Sequence, residues 1–358
     1  MPESPRILLV TPSAVQLRPP SDFVTHVTLN EIASLRSGPR PPDFDFLIQG
    51  AATGEVATEV LMHAINGHDG ESTLLLPLDT YDWLNHVPFL PPRMLALLPG
   101  IGRGVLMVVP KQRWMDLQKP PQDANVREDL ARFSRREFPI QLAPATQPVA
   151  SAVHSFIPPL LAPNSRGKHT WSRPHFDKLW LNDIEGDAAA ATTVRAGIAQ
   201  LNDLLDESHN LAQSIEGHHD GDYWHAIMHR REPDYGNSKY WFRHVGQHPV
   251  FGQLAPRAAD TLNNASADIR SHWAPKLKVD SNWDPFAFVD LCEAAARDED
   301  SSLGLTARRI QWLEMLLLLK HCCDHAATCH EAVQILPSHD EVDAKAPSHE
   351  DSQRKEER

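Results

Sequence analysis

Proline is spread so unevenly along this chain that it divides the fold before any other feature is considered. Twenty-two of the thirty prolines lie before residue 164. Proline fixes φ, removes a backbone donor and disfavours helix at the residue before it. The first part of the chain must therefore be built from short elements and loops, whereas the remainder is free to form helices. The expected fold is α+β overall, an α/β N-terminal domain over residues 1–140 followed by an all-α C-terminal domain over 185–336. A Pro-rich linker or arm, 141–184, joins them, and 337–358 reads as a disordered acidic tail. The helical part is expected to be a bundle or a set of helix pairs.

Within the first part, four short apolar runs are bounded by Pro, Gly or charged residues: "RILLV", "DFLIQG", "TLLLPLD" and "GVLMVV". Continuous apolar runs of this length suit strands buried on both faces. Between the second and third, "GEVATEVLMHAING" carries Val56, Val60, Leu61 and Ala64 at helical spacing and closes at Gly67. Strand, helix, strand implies a βαβ unit and a partly parallel sheet. From Phe138 to Pro163 the prolines favour an extended arm.

Hydrophobic residues make up 41% of the chain, enough for a packed core. The formal net charge is -13, of which the last twenty-two residues supply -3 (seven acidic, four basic). Such a balance argues against tracking a phosphate backbone, so no nucleic-acid partner is expected. No apolar stretch approaches the roughly 18 residues that span a bilayer, so no membrane partner is expected either. Four cysteines form no disulfide framework, and "MPESPRILLVTPS" lacks the pattern of a signal peptide. A cytoplasmic location is the expectation.

The helical part opens with "AAAATTVRAGIAQLNDLLDESHNLAQSIEG". Val194, Ile198, Leu201, Leu205, Ala212 and Ile215 form one stripe, ended by Gly217. Further helices are expected at about 223–231, 236–245, 251–269 and in "FAFVDLCEAAARDED" and "TARRIQWLEMLLLLKHCCDHAATCHEAV".

Seven of the twenty histidines fall between His209 and His248. Around "EGHHDG" the spacing repeats. Asp206, His209, Gln213 and Glu216 precede it, and Asp222, His225, His229 and Glu232 follow, each residue sixteen beyond its counterpart. On a helix either set falls within an arc of about 80°. If the two helices form an antiparallel hairpin, these ridges can face each other. Two His four apart with a nearby carboxylate suit a divalent metal, zinc, iron or manganese. His209, His225, His229 and Glu232 are the expected ligands, with Asp222 or Glu216 as general base. The carboxylate-x-x-His spacing is that of di-metal bundles, though those use Glu and two further carboxylates. The plainer alternative is a set of solvated or hydrogen-bonded structural histidines.

Beside the ridge lie Arg230, Arg231, Tyr235, Lys239 and Arg243, which suit an anionic small molecule. Metal plus anion clamp points to a metal-dependent hydrolase-like enzyme. "YWHAIMHRREPDYGNSKYWFRHVGQHP" also resembles one tetratricopeptide-type helix pair, which implies the competing function, a non-catalytic module that binds a protein partner. It departs from that pattern at Ser238, at Gly246 and at Ile227-Met228. Together with "WDPFAFVDLCE" the stretch is similar to a family of hypothetical proteins, a likeness that implies no activity.

Two other stretches carry less. "HCCDHAATCH" sets His321 and His325 four apart with Cys322 and Cys329 nearby, a mixed set that suits zinc, but it continues an apolar helix and has no C-x-x-C pair. "LIQGAATGE" has the place of an anion-cradling turn without the residues of a P-loop, and no G-x-S-x-G occurs.

Overall fold

A computed structural model describes residues 5–28, 30–31, 43–78, 95, 98, 105–115, 140–143, 149–150, 157–162, 188–326 and 334–335. In the first part lie β1 (Ile7–Thr11), β2 (Gln16–Arg18), β3 (Val24–Thr28), β4 (Phe46–Gly50), β5 (Glu55–Ala57), α1 (Thr58–Asn66), β6 (Thr73–Pro77), β7 (Val105–Pro110), α2 (Lys111–Met115) and β8 (Ile140–Leu142). The helical part holds α3 (Ala188–Leu201), α4 (Leu205–Gln213), α5 (His219–Arg231), α6 (Tyr235–Val245), α7 (Pro249–Asn263), α8 (Ala267–Leu277), α9 (Pro285–Ala295) and α10 (Ser302–His325). A last strand, β9 (Gln334–Ile335), follows.

All four apolar runs are strands. They belong to a seven-stranded sheet of order β3-β1-β4-β7-β6-β8-β9, with β2 and β5 forming a separate parallel pair. The large sheet is mixed: β1 runs parallel to β3 and β4, whereas β7 is antiparallel to both β4 and β6. The strand-helix-strand unit is present, but β7 sits between its two strands, so they are not neighbours. Its helix begins at Thr58, later than expected, because Glu55–Ala57 pair with β2.

Side-chain alternation gives the sheet two buried faces. Leu74, Leu76, Leu106 and Val108 face α1 with Leu61, Ala64 and Ile65. Leu75, Val105, Met107 and Val109, one residue out of step, join the core of the helical part. One face of the sheet thus shares a hydrophobic core with the helical part, while the face under α1 has a core of its own. The arm contributes as well. Leu160 N–H and Leu161 N–H donate to Glu299 at 2.7 and 3.1 Å, and Arg308 donates to the carbonyls of Ile157 (2.6 Å) and Pro158 (3.0 Å).

Three expectations need correction. The stripe from Ala188 to Gly217 is two helices, because Asn202 turns its amide back onto the Ile198 carbonyl (2.9 Å) and Asp203 has φ +60°. The helix expected over 251–269 is also two, since Ser266 accepts from the Ile269 N–H and starts a new one. Residues 334–335, inside the range read as helical, pair in parallel with β8 and return the chain to the sheet. No described helix is long and apolar enough to cross a membrane. The proposed tail, 337–358, lies outside the described residues.

Candidate metal centre

The hairpin of α4 and α5 exists and turns its histidines together. Its turn is closed locally. Gly217 has φ +89°, a conformation that favours glycine, and its N–H donates to Asp222 Oδ1 at 3.1 Å. Gly221, on the first turn of α5, leaves room for Ile215, whose Cδ1 would stand 2.9 Å from an added Cβ. A second close approach seats α5 against α3. A Cβ on Gly197 would fall 2.5 Å from Trp224 Cζ2. Trp224 precedes His225, so this packing fixes the helix face that carries the histidines.

His209 of α4 meets His225 and His229 of α5. Ring centroids are 4.7 Å apart for His209–His225, 5.5 Å for His209–His229 and 4.9 Å for His225–His229. One ring nitrogen from each of the three lies within 4.8 Å of the other two. A tetrahedral zinc with bonds of about 2.0–2.1 Å needs donors about 3.4 Å apart, so modest ring rotations close the set. His225 is 2% exposed and its Nδ1 has no hydrogen-bond partner among the described residues. A buried imidazole nitrogen left unpaired is costly unless something else binds it.

Electrostatics favour the neutral form of His225 and His229. Burial, with His229 and His209 adding to it, pushes His225 down to about 3. Burial also lowers His229, against the pull of Glu232. Neutral imidazoles are the form that binds metal.

The partners of these rings come largely from α6. Trp241 stacks on His225 with centroids 3.9 Å apart and planes 20° from parallel. The Asn237 amide nitrogen lies 3.0 Å from His229 Nε2, while Glu232 Oε2 lies 3.4 Å from His229 Nδ1. The sequence pattern alone does not single out Asn237 and Trp241. Their one sequence signal is the start of α6, where Asp234 accepts from the Asn237 N–H at 3.0 Å and fixes the first turn. The face of α6 bearing residues 237 and 241 then follows from helical spacing.

Several expected site residues lie elsewhere. Glu232 reaches the ring of His229 and is not grouped with the three imidazoles. Asp222 is turned to the Gly217 N–H, and burial raises its carboxyl above the ordinary value despite that bond. Glu216 is exposed in the turn beyond α4, because the helix ends at Gln213. Neither carboxylate is placed as a base for the cluster.

The anion clamp dissolves. Arg230 is 1% exposed and paired with Glu314, itself 0% exposed. Its Nε donates to Gln311 at 3.2 Å, and its guanidinium lies 4.6 Å from the Phe288 ring centroid. Arg231 is equally buried, donating to the Gln200 carbonyl at 2.6 Å and pairing with Asp203. Lys239 pairs with Asp290 of α9. Tyr235 packs against the core, its phenol pushed up to about 12 by burial and by Cys292, Glu293 and Glu299. Arg243 is exposed but lies about 200° around α6 from Trp241.

Among the described residues no thiol joins His321 and His325 in a metal-binding group. Cys322 is buried and its thiol is raised by burial, so it is held as a core thiol. Cys329 lies outside the described residues. No protein family, curated protein or solved structure matches this chain, which leaves the residues themselves as the guide to its chemistry.

Proposed function

We propose that His209, His225 and His229 bind one divalent transition metal, and that the protein is a metal-dependent enzyme of hydrolytic type. The observation that carries this reading is the convergence of three imidazoles on one point, one of them buried with an unpaired Nδ1. An all-imidazole set favours zinc, with iron and manganese as weaker candidates. Three protein ligands leave a coordination position open, and a metal there would activate water and polarise a substrate.

The chain's own groups support that role. Glu232 beside His229 Nδ1 holds the ring and its tautomer, the usual partner of a ligating histidine. Trp241 covers one face of His225 and restricts water. The Asn237 amide is the polar group placed to hold a substrate next to His229. The substrate need not be an anion, because the five residues expected to bind one are engaged elsewhere or turned away.

Metal content tests the proposal. Purified full-length protein should lose one equivalent of zinc on His225→Gln/His229→Gln substitution, and also on His209→Gln, which alters a half-buried ring and should leave the fold intact. Hydrolysis of a panel of ester, amide and phosphoester substrates should fall to background in the same variants. Unchanged zinc content in a folded His209→Gln protein refutes the assignment.

A further inference from the structure

We propose a second divalent-cation site, built from Asp220 at the start of α5 and from His321 and His325 on the last turn of α10. The three offer donor atoms within 4.8 Å of one another. They share no residue with the His209 cluster, so this site stands whether or not that reading holds.

Hydrogen bonding decides which atoms are available. His325 Nδ1 lies 2.7 Å from the His321 carbonyl, which only accepts, so this nitrogen carries the proton and Nε2 keeps its lone pair. A ring N–H held by a backbone carbonyl is the common support of a ligating histidine. His321 and His325 are four apart on one helix, with ring centroids 4.4 Å apart. His321 Nε2 lies 3.4 Å from Asp220 Oδ1. That is the donor–donor distance of about 3.3–3.4 Å around a tetrahedral zinc with bonds near 2.05 Å.

His248 belongs to the surroundings and not to the ligand set. Its Nδ1 accepts from the Val250 N–H at 3.2 Å, as the N-cap of α7. The neutral ring must then be protonated at Nε2, which donates to Asp220 Oδ1 at 2.9 Å. Binding metal through Nε2 would need a ring with no proton at all. His248 is therefore a positioning residue that orients the Asp220 carboxylate. His219 is likewise engaged, through Nε2 at the Val245 carbonyl, and Asp324 is paired with Lys320.

Two imidazoles and a carboxylate suit a zinc-class ion. The donors come from residues about a hundred apart in sequence, at the point where the chain leaves α10 for β9. An ion there would clamp the end of α10 to the start of α5. Asp220 is buried and His325 exposed, so the site has one side open to solvent for entry.

Zinc titration of the chelator-stripped full chain tests this. Calorimetry with zinc chloride near neutral pH should find two equivalents in the wild type. His321→Gln/His325→Gln should retain one, and Asp220→Asn should weaken the same equivalent at least tenfold. His325 is exposed and His321 half-buried, and glutamine keeps a polar side chain of similar length at both, so His321→Gln/His325→Gln should keep the wild-type circular dichroism. Zinc should raise the Tm of His225→Gln/His229→Gln through the second site, and this rise should vanish when His321 and His325 are also replaced. The proposal is overturned if His321→Gln/His325→Gln binds zinc with wild-type stoichiometry and affinity. A single equivalent lost only with His225 and His229 overturns it too, and leaves the first centre standing. A single equivalent lost only with His321 and His325 supports it and removes the first.

Discussion

Replacing Glu314 by alanine decides whether Arg230 belongs to the core or to a ligand. Arg230 is 1% and Glu314 0% exposed, and Tyr223 donates to Glu314 Oε1 at 2.9 Å. Alanine strands a guanidinium that cannot shed its proton. Breaking a buried pair from one side costs about 3–5 kcal/mol, and the orphaned Tyr223 hydroxyl adds about 1 kcal/mol. Gln311 and the Phe288 ring still solvate Arg230, so a loss of about 4 kcal/mol is expected, a large part of a typical stability of about 5–15 kcal/mol. Arg230→Met should cost less, about 2–3 kcal/mol, because the remaining carboxyl can take up a proton and still accept from Tyr223. With both replaced, Arg230→Met/Glu314→Leu should return to within about 2 kcal/mol of wild type, since no buried charge is left unpaired. Urea unfolding followed by circular dichroism and tryptophan fluorescence compares all three variants with the wild type. If both single variants lie within about 1 kcal/mol of wild type, the pair is not in the core. If Arg230→Met then also abolishes binding of an anion, the anion clamp is restored.

Three further outcomes follow from the geometry. His225 in the metal-free protein has its folded-state value pushed down to about 3 from 6.5, so the unfolded chain takes up the proton first on acidification. Its contribution is complete above about pH 6.5 and lost progressively towards about pH 3, with about 2 kcal/mol gone by about pH 5; His225→Gln should flatten that part of the stability profile. Asn237→Ala should leave zinc bound at the His209 centre at least as tightly as in the wild type, because the Asn237 amide N–H donates to His229 Nε2, the nitrogen that Glu232 at Nδ1 leaves for the metal; a loss of affinity of about tenfold or more would show that the amide supports the ligand instead. Gly197→Ala should lose about 1–3 kcal/mol in urea unfolding through the Trp224 clash, although alanine is about 1 kcal/mol better than glycine within a helix; a gain in stability would show that α3 does not press on α5.

How much was legible from sequence differed by level. Continuous apolar runs and proline placement were enough for the β-strands at Ile7–Thr11, Phe46–Gly50, Thr73–Pro77 and Val105–Pro110, and for a helical second half, because periodicity and φ restriction are local properties. The facing of His209 with His225 and His229 was also legible, since equal spacing on two helices joined by a short turn leaves little freedom. What the sequence could not supply was which polar side chains are already engaged. Arg230 and Arg231 look like free cations until Glu314 and Asp203, far away along the chain, are folded against them. Asn237 and Trp241 enter the first centre only through the packing of α6 on α5. Asp220 meets His321 and His325 only because α10 returns to the start of α5. The sequence determined which residues share a helix face; only tertiary packing decided what each face meets, because those partners are brought together across the chain by burial.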